Sequence, residues 1–287
     1  MNRSFDHLVL AARNLEAARA TYARLGFTLT PVARHPWGTI NSLIQFQGNF
    51  LELLAVADIA AISAATPGQF SFGDFNRGFL AKREGMSMLV FASKDARGDH
   101  REFRERGLQT YEPFDFERKA KLPDGSEVTV GFSLAFVTEP RMPDAAFFAC
   151  QQHAPQHFWK PEYQRHPNGA RAVLEVTMLA SDPAGYADYF GKLVEPQAVK
   201  RSEGALEVTL EGGKLTMLDA TRLAQRFPGV RLRDVLRKPY FAGYSIGVAD
   251  LAAAEALLKG KGVAFTRSGD RLHIAAEHAF GTMIEFR

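Results

Sequence analysis

Residues 5–29 read FDHLVLAARNLEAARATYARLGFTL: an apolar run, a polar cap at Asn14, an amphipathic stretch closed by Gly26, and a second apolar run. The phrase returns from Met86 (MSMLVFASKD, then FRERGLQTY), from Ala172 (AVLEVTMLASDPAGYADYFGKLV) and from Ala242 (AGYSIGVADLAAAEALLKGKGVAF). Cap and closing glycine are 12 residues apart in three copies, Asn14–Gly26, Asp95–Gly107 and Asp250–Gly262. Asn and Asp accept hydrogen bonds from the free N–H groups of a first helical turn, and Gly adopts the left-handed conformation that ends many helices. The third copy opens on Asp182-Pro183 and has its glycine early, at Gly191, so it is the least regular. A repeat of this kind fixes the architecture before any residue is read for chemistry.

Strand-like runs follow each helical stretch. They are FTLTPVA, TINSLIQFQ and NFLELLAV in the first copy and LQTYEPFDF, VTVGFSLAFVT and DAAFFACQQ in the second. The third copy has ALEVTLEGG and KLTMLDA, and the fourth VAFTRSG, RLHIAAE and GTMIEF. Asp124-Gly125, Gly212-Gly213 and Gly269-Asp270 mark turns between strands. Each unit therefore reads strand, helix, then about three strands. Residues 57–84 interrupt the pattern with a helix-like run, ADIAAISAA, and a Phe/Gly-rich loop, GQFSFGDFNRGF. Residues 221–241 form another insertion with short helices, and residues 153–170 connect two halves. The expected organisation is a first pair of units over 1–160, a linker over 161–170 and a second pair over 171–287.

The chain has 287 residues, 46% hydrophobic and 23% charged, as in a globular protein. Its 35 basic and 32 acidic residues leave a net charge of +3, too balanced for a nucleic-acid partner. The basic runs RLRDVLRK from Arg231 and FRERG around Arg104 read as solvated helix faces. The 23 Phe fit either large cores or an aromatic-lined pocket. Cys150 is the single cysteine, so no disulfide forms within the chain, in keeping with a cytoplasmic protein; in AAFFACQQ it reads as a small buried residue. No signal peptide is expected, and no apolar run reaches the roughly 18 residues of a membrane span. Phosphate-loop, dinucleotide and serine-hydrolase motifs are absent from the sequence.

The opening DHLVLA with NLEAA, then GTINSL and FLELLAV, and the segment CQQHAPQHFWKPEYQRHPNGA resemble the vicinal oxygen chelate superfamily, its glyoxalase-like branch in particular. The resemblance implies an α+β fold in which four βαβββ modules pair into two curled-sheet cups. It implies a divalent metal ion (Zn, Ni, Mn or Fe) held by side chains of the first and last strands of a unit, acting as a Lewis acid on a substrate oxygen.

The repeat locates the implied ligands. Seven residues before the caps stand His7, Met88, Glu175 and Gly243. The last apolar run holds Glu52 in the first copy and Glu285 in the fourth; the second has no carboxylate, and Asp219 falls late in the third. The first copy alone thus offers a His–Glu pair, His7 and Glu52, as metal ligands, with Glu52 also the implied catalytic base. A Glu inside an apolar strand is costly unless it is paired or bound to a metal. Two readings stand: half of a metal site, or an interior His–Glu pair inherited from one. Gln151, Gln152 and His153 are candidates to complete the site. The family's His in the GTINSL motif is replaced by Ile40, while Asn41 is kept to hold a substrate oxygen. His153 and Trp159, in the connecting segment, are expected to wall the pocket. His35, His100, His273 and His278 read as surface or strand-end residues, and the second half, with Glu175 and Glu285 alone, reads as structural.

The expectation is a glyoxalase-like, metal-dependent lyase, isomerase or dioxygenase acting on a small oxygen-bearing substrate as a monomer or homodimer. The alternative is a metal-free protein that binds an aromatic or hydrophobic small molecule.

Overall fold

The computed structural model describes residues 3–121, 127–227 and 238–287; the Asp124-Gly125 turn and the basic run from Arg231 to Arg237 lie outside them. The first repeat gives β1 (Phe5–Ala11), α1 (Leu15–Arg24), β2 (Ala33–Arg34), β3 (Thr39–Gln45) and β4 (Phe50–Val56), and α2 (Phe72–Lys82) follows. The second gives β5 (Gly85–Ser93), α3 (Ala96–Glu105), β6 (Gln109–Thr110), β7 (Phe114–Lys121), β8 (Glu127–Thr138) and β9 (Ala146–Gln152), with α4 (Pro155–Phe158) in the connection. The third gives β10 (Ala170–Leu179), α5 (Ala187–Leu193), β11 (Val199–Ser202), β12 (Ala205–Leu210) and β13 (Gly213–Leu218), and then α6 (Ala220–Arg226). The fourth gives β14 (Tyr240–Val248), α7 (Leu251–Gly260), β15 (Thr266–Ser268), β16 (Arg271–Ile274) and β17 (Met283–Phe286).

Caps act as their chemistry directs. Side chains of Asn14, Asp95 and Asp250 accept the N–H groups of Ala17, Gly98 and Ala253. Gly26, Gly107 and Gly262 take φ of +88°, +73° and +63° just past the helices. One insertion differs from expectation. ADIAAISAA carries no helix, and the Phe/Gly-rich stretch is helical α2. Ser71 Oγ caps it by accepting the Asp74 N–H, and Phe72, Asn76, Phe79 and Leu80 fall on its buried face. Packing of that face overrides the low helix propensity of Gly73 and Gly78.

The strands form two mixed sheets. One has the order β2-β3-β4-β1-β5-β9-β8-β6, with β7 beside β8; the other has β11-β12-β13-β10-β14-β17-β16-β15. These are not the curled cups that the resemblance implied. Each sheet is an open ladder with two different end strands, and among the described residues no pairing joins those ends. Closure needs end strands long enough to pair, whereas β2 and β6 have two residues each.

Alternation along each strand separates two environments. Leu8, Leu10, Ile44, Leu51, Leu53, Leu89 and Phe91 of the first sheet share one core with Val176, Met178, Met217, Phe241 and Ile284 of the second and with α1, α3, α5 and α7. Within it Tyr22 and Tyr244 hydroxyls meet at 2.9 Å, and burial pushes both far above the usual phenol range. Where Gly281 meets the start of β5, a Cβ would overlap the Glu84 carbonyl. The other face of the first sheet carries a separate cluster that includes Val9, Leu43, Phe50, Met88, Phe132 and Phe148.

His166 fastens the connection to the first sheet. Its Nδ1 accepts the Thr28 N–H at 3.0 Å and its Nε2 donates to the Gln45 carbonyl at 2.8 Å, a pattern only the neutral ring can make. Burial, the main cause, holds its pKa below the ordinary 6.5. His273 is lowered too, again chiefly by burial. A depressed histidine pKa means that the unfolded chain takes up the proton first. Stability is therefore full above about pH 6.5 and falls as the pH drops below it. Thermal unfolding across pH 7.5 to 5 is expected to show that fall, with a shallower slope in His166→Gln, whose amide can accept and donate in the same places.

Candidate functional site

The repeat ruler becomes an atomic register once strands are paired. His7 pairs with Phe50 across β1 and β4, and Met88 with Ala146 across β5 and β9. Glu175 pairs with Lys214 across β10 and β13, and Gly243 with Met283 across β14 and β17. Two residues on from those partners lie Glu52, Phe148, Thr216 and Glu285. The four equivalent pairs are therefore His7/Glu52, Met88/Phe148, Glu175/Thr216 and Gly243/Glu285. Asp219, which the sequence offered as the third unit's late carboxylate, instead caps α6 through the Arg222 N–H.

On the first sheet these positions open into a narrow pocket of about 60 Å³, room for a few water molecules or the polar end of a ligand. Strands contribute His7, Asn41, Leu43, Phe50, Glu52, Phe132, Phe148 and Cys150; the β2–β3 turn adds His35 and Trp37, and Phe72, Phe116 and Phe158 close it from outside the central strands. Glu52 is 5% exposed and His7 6%, so both ionisable groups rely on partners rather than water.

Those partners are specific. His7 Nδ1 lies 2.6 Å from Asp6 Oδ2, and Asp6 Oδ1 also accepts from Gln152 Nε2 at 2.9 Å. His7 Nε2 faces Glu52 Oε2 at 3.7 Å, too long for a hydrogen bond. His7 stacks on Phe50 at 4.3 Å. His35 repeats the arrangement: Nδ1 sits 2.8 Å from Thr39 Oγ1, and Nε2 is 3.9 Å from Glu52 Oε1. Asn41 Nδ2 donates to Glu52 Oε1 at 2.6 Å and lies 3.3 Å from His35 Nε2. Trp37 stacks on His35 at 4.6 Å. Two pocket residues carry buried polar atoms that find no hydrogen-bond partner among the described residues, Trp37 Nε1 and Asn41 Oδ1. A buried orphan of this kind costs about 1–3 kcal/mol; here the indole N–H is left to donate and the amide oxygen to accept.

Among the described residues no three His, Cys, Asp or Glu side chains are already drawn together as a metal site. What stands there is two His–Glu pairs sharing Glu52. Two donors about 2.1 Å from one ion lie at most about 4.2 Å apart, so either pair suits a shared ion. In both rings a partner on Nδ1 leaves Nε2 turned to the carboxylate, as in metal-ligating histidines, whose other ring nitrogen is held by a hydrogen bond. His7 and His35 face different oxygens of Glu52, so the residues that would hold a divalent ion are His7 with Glu52 or His35 with Glu52, two donors at a time. Cys150 also lines the pocket, but burial first, then the charges of Asp6 and Glu52, push its thiol well above the usual range, so it stays a neutral apolar wall.

Of the sequence candidates, His7, Asn41 and Glu52 converge. His153 does not line the pocket; its Nε2 lies 2.8 Å from Ser133 Oγ. Trp159 stays behind the wall, against Phe50 and Phe158. Gln152 acts through Asp6, and Gln151 accepts the Ala96 N–H at the start of α3. His35 and Trp37 were missed. The turn HPWG carried their signal: Ala33 pairs with Asn41 and His35 N–H with the Thr39 carbonyl, so His35 shares the face of Asn41. Ile40 lies on the opposite face, packed against the main core, and bears on no metal. His273 is buried rather than superficial, at 2% exposure.

The equivalent face of the second sheet is sealed. Arg226, at the end of α6, places Nη2 3.0 Å from both Glu175 Oε2 and Glu285 Oε1. Thr216 donates to Glu175, and Ser245 and Arg271 to Glu285. Arg287 Nη1 stands 3.4 Å from Glu175. Phe227 covers His273 at 5.2 Å. A tethered guanidinium stands between the two carboxylates.

Residues 5–194 match the family model described as a glyoxalase-like domain. No curated protein matches the chain. Among solved structures, a hypothetical protein from Staphylococcus aureus aligns with TM-score 0.68 and 12% identity over 99% of this chain and 98% of its own. A mutant 4-hydroxymandelate synthase from Streptomyces coelicolor gives 0.62 and 12% over 99% and 92%. The Mn(II)-bound glyoxalase from Novosphingobium aromaticivorans gives 0.56 and 9% over 100% and 82%. At these identities the likenesses show a shared fold.

Proposed function

The chain belongs to the glyoxalase-like domain family, and on that premise we propose that the first-sheet pocket is the active site of a lyase or isomerase that moves a proton next to an oxygen of a small substrate. The observation that carries this is the meeting of Glu52 with two anchored imidazoles, beside the orphan atoms of Trp37 and Asn41, inside an aromatic wall. Glu52 takes the proton, its carboxylate held by the Asn41 amide. The Trp37 indole N–H binds the substrate oxygen on which charge develops, and His7, fixed by Asp6 through Nδ1, keeps its Nε2 lone pair for a metal ion. The Phe walls keep out water and strengthen each of these interactions. A divalent ion held by His7 and Glu52 would supply Lewis-acid polarisation of that oxygen.

The reading is tested by carbon–hydrogen exchange in D2O, followed by NMR across small aromatic ketones and α-hydroxy ketones, with Mn2+ or Zn2+ supplied. Exchange that vanishes in Glu52→Gln is expected. No exchange with any of them would overturn the enzymatic reading. Asp6→Asn, which weakens the hold on His7 without touching substrate, is expected to lower divalent-ion affinity about tenfold; isothermal titration measures this, and an unchanged affinity would remove Asp6 from the site. A second reading has its own observation. Met88 and Phe148 fill the second unit's equivalent positions, which favours a metal-free protein that sequesters an aromatic molecule.

A further inference from the structure

A groove adjoins the pocket, and Asn41, Leu43 and Phe158 line both. The groove follows the β2 edge on one side and the connection around Lys160 on the other. Among the described residues the charged groups lining it are all basic or basic on protonation: Arg34, Lys119, His157 and Lys160. Lys119 is 3.3 Å from Glu127, whereas Arg34 and Lys160 make no ion pair with a described residue. Pro31, Val32, Val130 and Tyr163 give the same groove apolar surface. At its inner end the sign reverses, because Glu52 and Asp6 are the buried acids there. A path that is basic at the mouth and acidic at the base orients whatever enters it. An anionic group is held outside, and an uncharged oxygen-bearing end is admitted.

Resting on the reading of the pocket as the functional site, we propose that its ligand is an amphipathic anion. An aromatic or apolar body carries a carboxylate or phosphate that stays on Arg34, His157 and Lys160, while a neutral oxygen at the other end reaches Trp37 and Asn41. Opposite charges at the two ends of one channel select both the ligand class and its direction of entry.

Two fluorescent probes with the same ring system test this: 1-anilinonaphthalene-8-sulfonate, an anion, and N-phenyl-1-naphthylamine, which is neutral. In the full chain carrying Arg34→Ala and Lys160→Ala, the anion's affinity is expected to fall about tenfold, and the neutral probe's to change less than about twofold. Raising salt should weaken only the anion. Competition by benzoate against phenyl phosphate separates carboxylate from phosphate. Equal losses for both probes, or an unchanged anion affinity in the folded double variant, would overturn the proposal. Leu43→Trp, which fills the junction, should exclude both probes. If it excludes neither, or if neither binds the unaltered protein, the pocket reading itself fails.

Discussion

Arg226→Met is expected to cost about 3 kcal/mol of folding stability, because it leaves two buried carboxylates facing each other without the cation between them. Glu175 and Glu285 are 2% and 0% exposed, and one guanidinium nitrogen serves both. Arg271 and Arg287 remain near them, which places the loss at the low end of the roughly 3–5 kcal/mol seen when one member of a buried pair is removed. Urea unfolding reads the effect. Adding Glu175→Gln and Glu285→Gln should recover part of the loss, since no buried carboxylate is then left uncompensated, while Arg271 and Arg287, 27% and 24% exposed, keep their charges in touch with water. An Arg226→Met variant as stable as the parent would mean that the second face is not held by this cation.

Glu52→Gln should behave in the opposite way. Stability is expected to stay level or rise by up to about 1 kcal/mol, as it does when a group kept for function rather than folding is neutralised. Divalent-ion affinity should fall by more than about 100-fold, beyond what loss of an outer partner costs. The contrast follows from geometry. Gln keeps an oxygen to accept the Asn41 N–H, and His7 Nε2 stands 3.7 Å from the carboxylate, so no hydrogen bond to it is lost. Thermal unfolding and ion titration on the same preparation measure both. A stability loss like that of Arg226→Met would make Glu52 a structural residue.

Much of this was legible in the chain. Caps at Asn14, Asp95 and Asp250 and the glycines 12 residues beyond them located three helices, because capping is chemistry local to a few residues. His7 and Glu52 were named from the ligand positions that the resemblance implies, seven residues before the cap and in the unit's last apolar run, and parallel pairing of β1 with β4 brings the two side by side. His35 was hidden because its place depends on a two-residue strand pairing across a Pro-Trp-Gly turn. Only that register turns it toward Glu52. The curled-sheet cups were misjudged because how far a sheet curls depends on the length and pairing of its end strands, which the repeat does not encode. Arg226 was unreadable as a counter-ion. It comes from an insertion outside the repeat, and long-range packing of α6 alone brings it to Glu175 and Glu285. α2 formed where a loop was expected because its buried Phe face outweighs its glycines.

The two halves thus carry one fold and two outcomes: an open His–Glu pocket on one sheet and a cation-sealed pair of carboxylates on the other. Titration of the full chain with Mn2+, followed by electron paramagnetic resonance, tests that division most directly. One ion per chain is expected, lost in His7→Ala and in Glu52→Gln and retained in Glu175→Gln. No bound ion in the unaltered protein, or an ion that survives both first-sheet substitutions, would contradict it.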